Sequence, residues 1–363
     1  MGDCMRVVIT AGGTGGHIYP ALAIINKIKE RHPDSEFLYI GTHNRMEKDI
    51  IPKHGIPFKS IEIYGFNRKN PFKNIKTVRY FLKSLKDIKK YIKEFKPDIV
   101  IGVGGYVTGP VVYMAHRLGY KTFIHEQNSS PGKANRFLSK YADTIGVSFK
   151  SSIKYFPAYK TIFTGNPCSE EALRAKEVPK RQLDLDDRKK CVLFVMGSLG
   201  SSKINDFLVK TMSLFKNKEY QIVFVTGKNY EEELKKHTFP SNVKALPYIE
   251  NMPGFMKNVD IMVSRAGAST LSEIIALKIP SILIPSPYVP ENHQYKNAMD
   301  LVNKNAAILL EESELKGDVL VRKIDELFKN PSSLEKMKES LSSLQIKNSA
   351  TKIVEQIEQL VRG

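Results

Sequence analysis

The chain has 363 residues and carries 56 lysines and arginines against 38 aspartates and glutamates, a formal net charge of +18. This length exceeds the roughly 250–300 residues at which a single core stops growing, so we expect two domains, and the charge predicts an anionic partner such as acidic lipid, nucleic acid or a phosphorylated substrate. Three cysteines without a Cys-x-x-Cys pair argue against a disulfide framework or zinc site, and no apolar run approaches the roughly 20 residues that cross a bilayer.

Short apolar runs alternate with helical periodicity through the first half of the chain. Such alternation is typical of a parallel, doubly wound α/β sheet. The predicted strands cover residues 7–11, 37–40, 59–63, 99–103, 122–125, 144–148 and 161–164.

The first predicted strand runs into a glycine-rich loop, residues 10–17, with the sequence Thr-Ala-Gly-Gly-Thr-Gly-Gly-His. A strand, a glycine turn and a helix N-terminus together form an anion site, because backbone N–H groups and the positive end of the helix dipole converge there. Gly13 and Gly15 match the dinucleotide fingerprint, but Ile18 stands where its third glycine belongs, and no acid closes the next strand. A nicotinamide or flavin site is therefore disfavoured, and so is a P-loop, whose motif the chain lacks.

Two further loops follow strands of the same predicted sheet. Residues 104–110 form a second glycine turn that opens a helix, and His125-Glu126-Gln127-Asn128 is a run of four polar residues after the next strand. Ligands of such sheets bind beyond the carboxyl ends of the strands. We therefore predict that both loops contribute to a site. A tight connection between helix and strand would also explain the glycines of residues 104–110.

Residues 67–96 form a basic helical segment with eleven lysines and arginines and two acids. One predicted stripe is apolar and core-facing, and it includes Leu82, Ile88 and Ile92. A second stripe is basic and includes Lys76, Arg79 and Lys83. A solvated face explains these charges, and so does attraction to acidic lipid headgroups. Nucleic acid is disfavoured because no recognised binding motif accompanies the charge.

The second half repeats the opening pattern after a charged junction, residues 166–190. Predicted strands cover residues 191–196, 221–226, 242–246, 260–264, 281–284 and 307–309. The junction contains Asp184 and Asp186, which resemble a metal-binding Asp-x-Asp pair but are flanked by basic residues, so we interpret them as a solvated linker. The architecture predicted is α/β, with two doubly wound, Rossmann-like domains.

Three of the second-half strands are followed by candidate site loops: small-residue turns at 197–202 and 265–273, and a rigid polar loop at 285–294. The segment beginning at Arg265 opens a helix with Glu273 in its first turns, a pattern that suits a diphosphate at the N-terminus and a ribose at the carboxylate. A capping pattern would also explain it. Two domains with phosphate-type loops predict a nucleotide-sugar enzyme, with the ligand in an interdomain cleft and no metal or other cofactor.

Six motifs, taken together and in order, resemble the MurG family of GT-B glycosyltransferases. They are residues 12–17, 104–106, 125–128, 164–167, 265–273 and 293–295. The resemblance implies the GT-B fold, inversion at the anomeric carbon, and transfer of N-acetylglucosamine from UDP-N-acetylglucosamine to lipid I, the undecaprenyl-diphosphate-linked muramyl-pentapeptide, giving lipid II. It also implies a peripheral position at the cytoplasmic face of the bacterial membrane, an anionic membrane surface, contacts with other cell-wall synthesis and division proteins, and no nucleic acid.

The resemblance divides the chain into an acceptor and membrane-facing domain, residues 1–165, a UDP-N-acetylglucosamine domain, residues 166–345, and a final helix, residues 346–363, that returns to the first domain. It also assigns residues to the substrates. Thr14, Gly15 and Gly16 would contact the donor sugar and acceptor diphosphate, and Asn128 the N-acetylglucosamine, with Tyr106 in the same site. The residues that would hold the diphosphate, uracil, ribose and sugar hydroxyls are Ser198, Ile249, Ala268, Ser269, Thr270, Leu271, Ser272, Glu273 and Gln294.

One position departs from the family pattern. The family commonly has arginine two residues after Asn-Pro, and this chain has Ser169 there. Arg174 or Arg265 is the candidate replacement.

The reaction needs a base for the muramyl 4-hydroxyl. His17 is one candidate, because a helix N-terminus disfavours imidazolium and keeps the ring able to accept a proton. Glu126 is the other. A cap for the helix or a contact to the acceptor diphosphate would also explain His17. The alternatives are another GT-B UDP-sugar enzyme, either a lipid glycosyltransferase or an epimerase, and a noncatalytic basic scaffold that binds membrane.

Overall fold

The computed structural model describes residues 4–64, 74–197 and 202–363. The chain divides into two compact units. The first contains Met1–Cys168 and Asn348–Gly363, and the second contains Ser169–Lys347. The sequence predicts these junctions after residues 165 and 345.

The first unit is built on a parallel sheet. Its strands are β1 (Arg6–Thr10), β2 (Glu36–Thr42), β3 (Phe58–Ile61), β4 (Ile99–Gly102), β5 (Lys121–Glu126), β6 (Thr144–Val147) and β7 (Thr161–Phe163). The order over the described residues is β3-β2-β1-β4-β5-β6-β7. Helices α1 (Gly15–Arg31), α2 (Glu47–Lys53), α3 (Asn74–Phe95), α4 (Thr108–Arg117) and α5 (Lys133–Leu138) connect the strands, with short 3₁₀ turns at Lys150–Tyr155 and Ala158–Lys160.

Strand β1 lies in the middle of the sheet and is buried on both faces. Val7 and Ile9 enter the core on one face, and Val8 enters the core on the other, all fully buried. A strand buried on both faces needs a continuous run of β-branched residues, which is what the sequence provides.

The basic helix α3 corrects one sequence prediction. Ser84, Ile88 and Ile92, spaced by four residues, are buried, whereas Leu82 is 61% exposed. Leu82 lies six residues before Ile88, and at about 100° per residue it points about 120° away from that stripe. The prediction that Leu82 faces the core is therefore wrong.

The second unit repeats the arrangement. Its strands are β8 (Cys191–Val195), β9 (Gln221–Val225), β10 (Val243–Leu246), β11 (Ile261–Ser264), β12 (Ser281–Leu283) and β13 (Ile308–Leu309). They pair in parallel in the order β10-β9-β8-β11-β12-β13. The helices are α6 (Cys168–Arg174), α7 (Ser202–Met212), α8 (Glu231–Leu234), α9 (Met252–Met256), α10 (Ala268–Leu277), α11 (His293–Val302), α12 (Val319–Lys329) and α13 (Pro331–Leu344), with 3₁₀ turns at Lys180–Leu183, Ser213–Phe215, Lys228–Tyr230, Pro290–Asn292 and Glu312–Glu314.

The last helix, α14 (Ser349–Arg362), belongs to the first unit. Ile353, Val354 and Ile357 are fully buried in the core that contains β1 and α1, each side chain contributing about 1.5–3 kcal/mol by burial. Glu358 accepts two hydrogen bonds from Arg31, at 2.8 and 2.9 Å. The helix is thus attached to α1 by apolar packing and a bidentate ion pair. No helix in the described part of the chain is long and apolar enough to span a bilayer.

Candidate functional site

The two sheets change direction at corresponding places. In the first unit β2 and β4 flank β1, and in the second β9 and β11 flank β8. Loops at the carboxyl ends of strands beside such a switch point are the usual ligand sites of doubly wound sheets. These are the loops after β1 and β4, and those after β8 and β11.

The loop after β1 is held by contacts behind it. The Gly12 N–H donates to the Gly104 carbonyl at 3.1 Å, and the Gly13 N–H donates to Glu47 Oε2 at 3.1 Å. Glu47 is fully buried, and its Oε1 accepts from the Thr42 N–H and hydroxyl at 3.0 and 2.6 Å. Gly105 has φ +91°, and a Cβ there would lie 2.4 Å from the Gly12 oxygen, so this approach of the two loops requires glycine.

These contacts reduce the number of backbone N–H groups that the predicted anion site can offer to a ligand. The Gly12 and Gly13 N–H groups are occupied, and within the described ranges the N–H groups of Thr14, Gly15 and Gly16 have no protein acceptor. They lie at the N-terminus of α1, which favours an anion. Glu47 was not predicted as part of this site, because nothing in a local pattern indicates that an acid 34 positions away reaches Gly13.

His17 lies in the first turn of α1 and is partly exposed. Its ring packs on Gly104, where a Cβ would lie 2.6 Å from His17 Nδ1. His17 Nδ1 is 3.1 Å from Gln127 Oε1. Gln127 Nε2 is in turn 3.0 Å from His125 Nδ1. The run of four polar residues therefore reaches the histidine of the glycine loop.

His125 is fully buried at the end of β5, and its Nε2 is 3.0 Å from the Gly165 carbonyl. Burial lowers the pKa of His125 to about 4, against a smaller opposing effect of that hydrogen bond. The ring is therefore neutral at physiological pH. Its position suits a structural anchor, because the ring is fully buried.

Glu126 points into a different network. Its Oε1 accepts from the Asn128 N–H and Nδ2, and its Oε2 accepts from the Gly132 N–H and Asn135 Nδ2, at 2.9–3.1 Å. Glu126 as a whole is 2% exposed. A buried carboxylate that already accepts four hydrogen bonds is well placed to order the loop that carries Asn128 and poorly placed to accept a substrate proton. Tyr106, by contrast, is 74% exposed.

In the second unit, α10 presents an open N-terminus. The Leu271 N–H donates to Gly267, whereas the N–H groups of Ala268, Ser269 and Thr270 have no acceptor among the residues that the structure describes. The buried Ser269 hydroxyl oxygen also lacks a partner there. These donors suit a diphosphate. Leu271 is fully buried and Ser272 Oγ donates to the Ser269 carbonyl, so their side chains serve the fold.

Glu273 follows in the second turn of α10. It is partly buried, and desolvation raises its pKa to about 7. It has no hydrogen-bond or ion-pair partner in the described chain. An unpaired carboxyl at this place is a suitable acceptor for sugar hydroxyls.

The remaining predicted contacts in this unit differ in how free they are. Arg265 is buried, donating to the Ile284 carbonyl at 3.1 Å and pairing with Glu312 at 2.5 Å, so it is engaged within the fold. Gln294 Oε1 accepts from the Ser286 N–H at 2.9 Å. Ile249 is 6% exposed. Arg174 pairs with Glu170 at 3.0 Å, and Ser198 lies outside the described residues.

The two aspartates of the Asp-x-Asp motif in the junction form ion pairs with basic side chains. Lys244 bonds Asp184 at 2.8 Å and lowers the pKa of that carboxyl, and Arg188 does the same for Asp186. Across the ranges that the structure describes, no cluster of three or more His, Cys, Asp or Glu is arranged to hold a metal ion.

Two doubly wound units with small-residue loops at their switch points are the architecture of GT-B glycosyltransferases, as the sequence predicts. Residues 7–147 match the glycosyltransferase family 28 N-terminal domain, and residues 191–357 match the C-terminal domain of that family. A Bacillus cereus protein named UDP-N-acetylglucosamine–N-acetylmuramyl-(pentapeptide) pyrophosphoryl-undecaprenol N-acetylglucosamine transferase 1 is 50% identical over 363 residues, 99% of this chain and 100% of its own.

Solved structures agree. The crystal structure of Acinetobacter baumannii MurG has a TM-score of 0.77 at 26% identity, covering 98% of this chain and 99% of that one. A putative UDP-N-acetylglucosamine 2-epimerase from Listeria monocytogenes has a TM-score of 0.71 at 13% identity, covering 98% and 96%, which shows a shared fold alone. The chain belongs to glycosyltransferase family 28 and, within it, to the MurG family.

Proposed function

We propose that this chain transfers N-acetylglucosamine from UDP-N-acetylglucosamine to the 4-hydroxyl of the muramyl sugar of lipid I, giving lipid II for peptidoglycan synthesis. The observation that carries this function is the full-length identity of 50% to a relative named for this transfer. The free donors and the unpaired carboxyl of the two units are the local support.

The second unit supplies the nucleotide contacts. Backbone N–H groups at the N-terminus of α10 and the Ser269 hydroxyl receive the diphosphate, and Glu273 accepts from the ribose hydroxyls. Charge develops on the diphosphate as the glycosidic bond breaks, and fixed N–H dipoles stabilise it without needing to reorganise. The uracil lies at Ile249, and Gln294 contacts the sugar.

The first unit supplies the acceptor contacts and the base. The N–H groups of Thr14, Gly15 and Gly16 receive the lipid diphosphate. His17 takes the proton of the attacking hydroxyl as its oxygen bonds to the anomeric carbon, and UDP departs with the electron pair of the broken bond. Attack from the face opposite UDP inverts the anomeric carbon, and the imidazolium then loses its proton to solvent.

The test of this function is transfer of labelled N-acetylglucosamine to a lipid I analogue by purified chain. His17→Ala should lower kcat by about 10²–10⁴-fold, the usual contribution of a general base. UDP-N-acetylglucosamine binding, measured by calorimetry, should persist. His54→Ala is the matched control, because His54 is an exposed histidine of the same unit. Failure of the wild-type chain to transfer the sugar contradicts the function, and unchanged turnover in His17→Ala contradicts the base alone.

We further propose that the first unit binds the anionic cytoplasmic face of the membrane as a peripheral protein. Arg79, Lys83 and Lys86 are exposed on α3, and so is the apolar side chain of Leu82. Basic residues near an anionic surface contribute about 1 kcal/mol each, and an exposed leucine beside them adds apolar insertion.

Sedimentation with anionic vesicles tests the membrane proposal. The wild type should bind anionic vesicles and should not bind neutral ones. Changing Arg79, Lys83 and Lys86 to glutamate should abolish binding to the anionic vesicles. The matched control makes the same charge change at exposed lysines of the second unit, namely Lys210, Lys216 and Lys304. Equal loss in both triple variants would indicate a nonspecific charge effect.

A further inference from the structure

Three side chains of the first unit form a hydrogen-bonded series that ends at His17. The distances are 3.1 Å from His17 Nδ1 to Gln127 Oε1, 3.0 Å from Gln127 Nε2 to His125 Nδ1, and 3.0 Å from His125 Nε2 to the Gly165 carbonyl. His125 and Gln127 are 0% and 1% exposed. The series is therefore shielded from water until it reaches His17.

Backbone carbonyls determine the direction of every bond in the series, because a carbonyl accepts and never donates. Gly165 requires a proton on His125 Nε2, so His125 Nδ1 carries a lone pair and needs a donor. The His125 carbonyl, 3.1 Å from Gln127 Nε2, independently requires that the amide nitrogen face His125. Gln127 Oε1 then faces His17, and His17 Nδ1 must be the donor.

We propose that Gln127, oriented by His125, is a positioning residue that holds His17 in the Nδ1–H tautomer with its lone pair on Nε2. The tautomer follows from the hydrogen bonds alone. Its catalytic use rests on the proposed function, in which His17 is the base. The opposite tautomer would place N–H on Nε2 and a lone pair against the lone pairs of Gln127 Oε1, and Gln127 is only 1% exposed.

This assignment has a chemical consequence for proton transfer. Nε2 accepts the hydroxyl proton, and the resulting imidazolium keeps its Nδ1–H bond to Gln127 Oε1, which becomes charge-assisted and stronger. The second histidine does not share the charge, because burial keeps His125 neutral. Gln127 thus prepares the base before reaction and stabilises its conjugate acid afterwards.

Nitrogen NMR of the ¹⁵N-histidine-labelled full chain tests the tautomer without any substrate. His17, assigned by its loss in His17→Ala, should show a protonated Nδ1 and an unprotonated Nε2 at neutral pH. In Gln127→Met, which removes the acceptor but keeps the length of the side chain, this preference should be lost. In Gln127→Glu, which keeps an acceptor toward His17 but loses the donor to His125, it should return in part. A wild-type His17 protonated at Nε2 overturns the proposal, as does Gln127→Met with the tautomer unchanged.

Kinetics separate positioning from general damage to the fold. Gln127→Met should lower kcat by about tenfold or more while KM for the donor changes little, and Gln127→Glu should recover part of the loss. Gln359→Met, at an exposed glutamine of the same unit, is the matched control. Equal losses in the Met and Glu variants would contradict a role through the acceptor oxygen. A chain that lacks transferase activity but shows the expected tautomer pattern would contradict only the proposed function.

Discussion

Replacing Gly104 with alanine places a methyl group against the ring of His17. Gly104 has φ +110°, and a Cβ at this position would lie 2.6 Å from His17 Nδ1 and 2.7 Å from His17 Cε1. Ordinary contact between such atoms is about 3.5–4.0 Å, so the ring must move by about 1 Å. That movement breaks the bond between His17 and Gln127.

Two effects of Gly104→Ala have separate magnitudes. Alanine at a positive φ should lower the free energy of unfolding by about 1–3 kcal/mol. A misplacement of about 1 Å can cost about 10²-fold in rate, so kcat should fall by that order. Gly119 separates the two effects, because it has φ +81° with no atom within 4 Å of its Cβ position. It precedes β5, at the opposite end of the strand from Gln127.

The assay compares kcat and urea unfolding of Gly104→Ala and Gly119→Ala with those of the wild type. Both variants should lose stability, Gly104→Ala somewhat more because the bond between His17 and Gln127 is also broken, and only Gly104→Ala should lose turnover. Wild-type kcat in a folded Gly104→Ala chain would refute the reasoning that the His17 position depends on this glycine. A similar loss of kcat in both variants would refute it too, because strain alone would then explain the effect.

Three carboxylates give further predictions. The pKa of Glu273 is raised to about 7, so between the ordinary glutamate pKa and about 7 the folded chain binds more protons than the unfolded chain. The contribution of Glu273 to the free energy of unfolding is therefore lost as pH rises. The melting temperature of Glu273→Gln relative to that of the wild type should increase between about pH 5 and pH 8. Burial opposes ionisation of Glu358, but hydrogen bonds from Arg31 and His32 lower its pKa. The stabilisation that the Glu358 carboxylate provides is therefore lost as pH falls through that lowered pKa. At neutral pH, Glu358→Gln should reduce the protection of α14 in hydrogen exchange by about 1–2 kcal/mol. Glu126→Gln turns an amide donor toward existing donors and should lower the free energy of unfolding by about 1–3 kcal/mol, measured by urea titration; loss of kcat with no loss of stability would instead support Glu126 as the base.

The strands and their loops could be predicted because their signals are local. Every predicted strand, from residues 7–11 to residues 307–309, overlaps an observed one. Apolar runs with glycine after them report a buried parallel strand and its turn without reference to the rest of the chain. The prediction that Leu82 faces the core was wrong for a physical reason. Periodicity gives the width of an apolar stripe on a helix, but it does not tell which edge of that stripe packs against the rest of the protein.

The contacts within the site could not be predicted in the same way. Glu47 on Gly13, Arg265 on Glu312 and Gln127 on His17 each join residues that lie far apart in the chain. In the sequence, residues 125–128 form one polar cluster. Successive residues leaving a strand point in alternating directions, so His125 and Gln127 reach one network while Glu126 reaches another.

The sequence by itself determined two parallel α/β units, the glycine loop after β1 with His17 at the start of α1, and the open helix N-terminus at Ala268, since each depends on neighbours in the chain. The tertiary structure decided which of these groups remain free to act. Strand order brings the ends of β1, β4 and β5 together, and that arrangement directs Gln127 to His17. Glu47, which follows β2, occupies the Gly13 N–H, and the loop after β5 engages Glu126. Local pattern indicates where a site lies, whereas the hydrogen bonds that orient His17 depend on three-dimensional proximity.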